Sequence, residues 1–124
     1  MANTTQKQIL QGIDVSEVGV LAKRFSVSKE DMAKILGVSP RTLQKKSIDK
    51  SHSLDKNLSE RCINLDDLFN VAVDYFGSEK SAVSWFHTEN RGMSMVTPFS
   101  LCETFHGMNR VENTILKLKY GMTA

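Results

Sequence analysis

SKEDMAKILGVSPRTLQKKS, from Ser28 to Ser47, carries two helix starts and one helix stop in a single short span. Ser28 with Asp31 three residues on is a loose form of the capping box, in which the serine oxygen takes an orphan backbone N–H of the first turn. The helix it announces runs to about Leu36 and stops at Gly37, the residue type that enters the left-handed region at least cost. Ser39-Pro40 opens a second helix, serine as cap and proline in the first turn, where its missing N–H costs nothing. Ala33 lies where the two helices cross, and its small side chain permits close approach. Met32, Ile35, Leu36, Val38 and Leu43 supply an apolar interior by their spacing. The second helix then exposes Arg41, Thr42, Gln44, Lys45 and Lys46, cations for phosphates beside polar groups suited to base edges. Ser39 stands at its N-terminus, where outward-pointing N–H groups favour a phosphate. The same spacing also suits a helical hairpin inside a bundle with an incidentally basic face.

Charge separates the alternatives. From Val20 to Lys56 there are nine basic against four acidic residues; the rest of the chain holds seven basic and ten acidic, within a net charge of +2. A basic block in a nearly neutral protein points to a local polyanion-binding surface. DNA contact by Ser39, Arg41, Thr42, Gln44, Lys45 and Lys46 is therefore the expectation, with affinity falling steeply in salt.

Outward from this motif the period remains helical. Residues 1–13 read as a polar tail. Val18, Leu21 and Phe25 recur at helical spacing from Ser16 to Phe25, with Ser16 as the cap. Leu58, Cys62, Leu65, Phe69, Ala72 and Phe76 alternate steps of four and three along the longest helix, which Gly77-Ser78 closes. That seam fits either a coiled coil or a helix packed on its own domain. Ser78 starts a short helix through Phe86, and Asn90 to Val96 reads as loop. Thr97-Pro98 repeats the cap-plus-proline start, Asn109 with Glu112 begins a last helix, and Gly121 ends it. No strand pattern appears, so the fold class is all-α.

Catalysis and metal binding are poorly supported. Cys62 and Cys102 have neither metal nor redox spacing and read as reduced core thiols. His52, His87 and His106 are scattered, so no zinc site, cofactor or nucleophile–base pair is expected, and the chain reads as a non-enzyme. No apolar run approaches the ~18–20 residues that cross a bilayer. The polar start from Met1 to Gln11 lacks a secretion signal, which makes the cytoplasm the expected compartment.

The front half resembles the helix-turn-helix of Xre-type regulators, whose second helix reads the major groove. The rear half carries WFHTEN (Trp85 to Asn90), Met93, TPFSLCETFHG (Thr97 to Gly107), Val111, Ile115 and KLKYG (Lys117 to Gly121). It resembles the Xre/MbcA/ParS toxin-binding domain at Trp85, Asn90, Pro98, Leu101, Thr104, Gly107, Val111 and Gly121. Upstream, Ser59-Glu60-Arg61 and the closing Phe76-Gly77 are similar to the family as well. Phe86, Phe99 and Cys102 stand where the family has leucines, and Lys117 where it has arginine, without arginine's planar two-point contact. Ser94-Met95 replaces a pair of small or glycine residues. Trp85, Leu101, Val111 and Ile115 read as core, and Pro98 and Gly107 as helix punctuation.

The resemblance implies three segments: a tail over 1–13, a helix-turn-helix domain over 14–56, and a long helix plus toxin-binding domain over 57–124. It implies an antitoxin that covers its toxin's active site and represses its own operon on operator DNA; a homodimer is the expectation because a single helix-turn-helix usually needs a two-fold operator for useful affinity. The toxin it points to first is a RES-domain enzyme that consumes NAD⁺, and second a ParT-like ADP-ribosyltransferase. Asn90, Arg91, Lys117, Lys119, Tyr120 and Met122 are the expected toxin contacts. The rival expectation is a stand-alone regulator that dimerises through the Leu58–Phe76 seam.

Overall fold

The computed structural model describes residues 11–48 and 53–121, and among these every regular element is helical. In chain order they are α1 (Ser16–Phe25), α2 (Lys29–Leu36), α3 (Pro40–Ile48), α4 (Lys56–Phe76), α5 (Glu79–Phe86), a 3₁₀ turn (Arg91–Met93), α6 (Pro98–Leu101) and α7 (Phe105–Lys119). The all-α expectation holds. The chain forms two compact units, Met1–Asp66 and Asp67–Ala124, so the dividing line falls within α4.

In the first unit the caps do what their residue types dictate. The Ser28 hydroxyl accepts the Asp31 N–H at 3.0 Å, and Ser39 accepts that of Thr42 at 3.1 Å. Gly37 closes α2 at φ 74°, with its own N–H and that of Val38 bonded back to Lys34 and Ala33 carbonyls. One start differs from expectation. Ser16 is the first residue of α1 rather than its cap; the Asp14 carboxylate accepts the Ser16 N–H at 3.0 Å and binds its hydroxyl. A carboxylate offers the stronger, charge-assisted acceptor at a helix N-terminus.

Val18, Leu21, Ala22 and Phe25 of α1 and Met32, Ala33, Ile35 and Leu36 of α2 are buried together with Leu43 of α3. Each large side chain here contributes about 1.5–3 kcal/mol by leaving water. Val38 is only half-buried. The first half of α4 is tied in by polar contacts. Buried Ser59 accepts the Ile13 N–H at 3.0 Å and donates to the Leu54 carbonyl at 3.3 Å. Arg61 donates to the Ile35 carbonyl at 3.1 Å, satisfying an orphan acceptor at the end of α2. Arg24 pairs with Asp66.

In the second unit, Phe69 stacks on Phe86 with ring centroids 6.0 Å apart, and Phe76 meets Trp85 at 5.3 Å. Ser78, Thr97 and Thr104 each cap a helix by accepting the N–H three residues on. The last helix therefore starts at Phe105, not at Asn109, which lies well inside it. Gly107 is not a stop either. It sits in the first turns of α7, where an added Cβ would fall 1.7 Å from the Leu101 carbonyl oxygen. Its lack of a side chain is what lets α7 lie against the end of α6. Trp85 and Leu101, read as core, are half-buried, whereas Val111 and Ile115 are fully buried.

The seam along α4 is consumed inside the chain. Leu58, Cys62, Leu65, Phe69 and Ala72 are all buried, and Phe76 is half-buried against Trp85. The packed-helix alternative is the one the fold uses, which removes the coiled-coil stripe from the surfaces open for dimerisation.

Candidate nucleic-acid interface and partner-docking face

The α3 helix is held by one buried apolar residue, Leu43, and presents most of the rest to solvent. Arg41, Gln44 and Lys45 are exposed and share one side of the helix, since 100° per residue brings positions 41, 44 and 45 within one arc. Ser39 and Thr42 are exposed but busy: their hydroxyls pair at 2.8 Å while Ser39 caps the helix. Their contribution is to fix the N-terminus of α3. Lys46 lies off the exposed face, half-buried, with its ammonium 3.5 Å from the Ser53 carbonyl. Of the six residues expected on DNA, the geometry gives Arg41, Gln44 and Lys45 the most direct access.

Beside this face runs a groove of about 680 Å³, lined by Asp14 to Ser16, Val18 and Gly19, by Lys29 and Glu30, and by Pro40, Leu43, Gln44 and Ser47. Gly19 shapes it: a Cβ there would stand 3.2 Å from Lys29 Cε, so the glycine leaves room for the lysine stem across α1. Sequence reasoning missed this groove and also missed Ile48, which is 80% exposed at the end of α3. The helical phase of Ile48 relative to Arg41 was the available signal.

In the second unit the segment from Asn90 to Val96 is a closed loop rather than irregular chain. Asn90 organises it. Its N–H donates to the Val96 carbonyl at 3.0 Å, its own carbonyl accepts from Met93 at 3.0 Å and Met95 at 2.9 Å, and its side chain accepts the Gly92 N–H at 2.9 Å. Met93 is buried beneath, and Arg91 is exposed on the 3₁₀ turn. Ser94 and Met95 both adopt left-handed backbone, at φ 60° and 63°. That explains why small or glycine residues suit this pair, since each L side chain there costs about 1–2 kcal/mol. Met95 and Val96 nonetheless project into solvent.

At the end of α7, Lys117 is exposed, and Lys119 forms an exposed ion pair with Asp74 at 3.2 Å, worth at most ~1 kcal/mol. Tyr120 follows as the helix cap, 68% exposed. Met122 lies outside the described residues. Leu118 and Phe105 are about half exposed, a feature the periodicity hid because both fall at helix ends.

Among the described residues no cluster of histidine, cysteine, aspartate or glutamate could hold a metal ion. Burial pushes both thiols, Cys62 and Cys102, up to about 12, so neither forms a nucleophilic thiolate near neutral pH. No described helix is long and apolar enough to cross a membrane.

Two family models match the chain in tandem. Residues 5–65 match the antitoxin Xre-like helix-turn-helix domain, and residues 71–121 match the antitoxin Xre/MbcA/ParS C-terminal toxin-binding domain. The chain is similar to the protein named Antitoxin Xre of Photorhabdus laumondii subsp. laumondii, with 26% identity over 115 residues, covering 92% of this chain and 77% of that protein. Among solved structures, a chain in the crystal structure of the M. tuberculosis MbcT–MbcA toxin–antitoxin complex superposes with a TM-score of 0.62 at 20% identity. That match covers 89% of this chain and 96% of the other, and at this identity it speaks for a shared fold.

Proposed function

The chain belongs to the Xre/MbcA/ParS-type antitoxins, and from that premise we propose that it neutralises a RES-domain toxin that consumes NAD⁺ and represses its own operon. The observation that carries this reading is the tandem itself. A toxin-binding domain follows a helix-turn-helix whose reading helix leaves Arg41, Gln44 and Lys45 open to solvent.

Inhibition is steric. On this reading the chain acts by covering the NAD-binding cleft. Arg91, Lys117, Lys119 and Tyr120 supply the contact, with Asn90 holding the loop that carries Arg91 and Met122 following Tyr120 in sequence. An exposed tyrosine is the residue type of an interface anchor, offering a large contact area at small entropic cost. Repression follows from a homodimer placing two α3 helices one helical turn apart on a two-fold operator.

The test is co-expression with the adjacent open reading frame, read by growth and cellular NAD⁺. Toxicity with NAD⁺ loss, both abolished by this chain, is the expected result. Toxicity relieved without change in NAD⁺ would replace the RES toxin by another class, the ParT-like transferase first. Absence of toxicity would leave the stand-alone regulator.

A further inference from the structure

Resting on the DNA-binding reading above, we propose that Ile48 reads sequence directly, packing its side chain against the 5-methyl group of a thymine in the major groove. A single exposed apolar residue is ordinary on a protein surface and signifies nothing alone. The position of this one is what distinguishes it. At 100° per residue, Gln44, Ile48, Arg41 and Lys45 fall within an arc of about 100°, with buried Leu43 on the far side of the helix. Ile48 therefore continues the cationic and amide face of α3 at its C-terminal end, where it is 80% exposed.

An apolar β-branched group in that setting has two costs and no cover among the described residues. It is a weaker helix former than lysine or glutamine, and it leaves most of its surface in water. The neighbours on its face identify the surface that would cover it. Arg41 and Lys45 supply positive charge for a polyanion and Gln44 a two-point donor–acceptor for a base edge. Within the major groove the one apolar feature of a base edge is the thymine methyl. Ile48 lies about 10 Å along the helix axis from Arg41, the length of roughly three base-pair steps. The thymine it reads belongs that far from the base or phosphate met by Arg41.

The experiment selects duplexes from a random pool with the full-length protein and then replaces each thymine singly by deoxyuridine, which removes only the methyl group. Affinities of the wild type, I48A and I48V are measured at one fixed salt concentration. The expected result is one position per half-site where uracil weakens wild-type binding about fourfold, the value of one buried methyl group. I48A binds the thymine duplex more weakly and is indifferent to that uracil, and I48V falls between. Because Ile48 is so exposed, circular dichroism of I48A should match the wild type. Wild-type indifference to every uracil, or an I48A loss equal on thymine and uracil duplexes, would overturn the inference alone. So would a change in self-association of I48A without DNA, which would make a second copy of this chain the cover. Failure of the wild type to select any duplex would sink the DNA-binding reading, and this inference with it.

Discussion

Gly37 and Gly107 both stand at a helix end, yet they are glycines for opposite reasons. Gly37 needs its backbone: φ is 74°, and an added Cβ would meet nothing within 4 Å. Gly107 needs its emptiness: it is helical, and an added Cβ would collide with the Leu101 carbonyl. The turn of the front unit is thus specified by a local torsion preference, whereas the corner of the rear unit is specified by what another segment has already occupied. The two units differ in the same way at their surfaces. The α3 face is an ordered outcome of helical phase. In the rear unit the expected contacts lie on a loop closed on Asn90 and on the last turn of α7.

The sharpest way to break this comparison is to give both glycines a methyl group. G107A should cost about 3 kcal/mol, the upper range for overpacking, because the obstacle is backbone that cannot rotate aside. G37A should cost about 1–2 kcal/mol, the left-handed penalty alone. Denaturant midpoints measure both, and equal losses would mean that Gly107 is not held by crowding.

The next effect tests the rear face itself. Alanine at Lys117, Tyr120 and Met122 together should weaken toxin binding about thirtyfold or more, the loss of one anchor residue. Titration calorimetry with the purified toxin reads it, and unchanged affinity would remove this face from the interface. In the front unit, R41A with K45A should lower the slope of log K against log salt by about 2, since each phosphate contact contributes about 0.9. A slope that stays put would place the cationic contacts elsewhere. The smallest change expected is a gain. M95G should stabilise the chain by about 0.5–1 kcal/mol, relief of left-handed strain less the entropy a glycine returns to the unfolded state. A loss on thermal melting would show that Met95 packs more than it strains.

The front unit was legible because its signals are short-range. Ser28 and Ser39 each bond an N–H three residues away, and Gly37 is a stop on its own terms. Even there, Ser16 was read as the cap, and only geometry shows that the Asp14 carboxylate is the acceptor and Ser16 the group it binds. The rear unit deceived at α7 because Asn109 with Glu112 imitates a cap, and Gly107 imitates a stop. Thr104 was the true start. Spacing also misjudged burial where coverage depends on distant chain. Trp85 has core periodicity but is only half covered, and Lys46 leaves the exposed face for a carbonyl at Ser53. Helical phase could put Arg41, Gln44 and Lys45 on one exposed side of α3. The closed Asn90 loop could not be drawn from sequence, because three of the four bonds Asn90 makes there run between backbone atoms that no residue type announces.

The two buried thiols give each half its own clock. Cys62 lies in the unit that ends at Asp66 and Cys102 in the unit that begins at Asp67. Folded, both are screened from solvent and held as protonated thiols; opened, each returns to an ordinary, reactive cysteine. The rate at which a disulfide reagent modifies either one therefore counts the local openings of its own unit. Adding operator DNA should slow the first clock, and adding toxin the second, so one labelling time course would report two binding events without a tag on either partner.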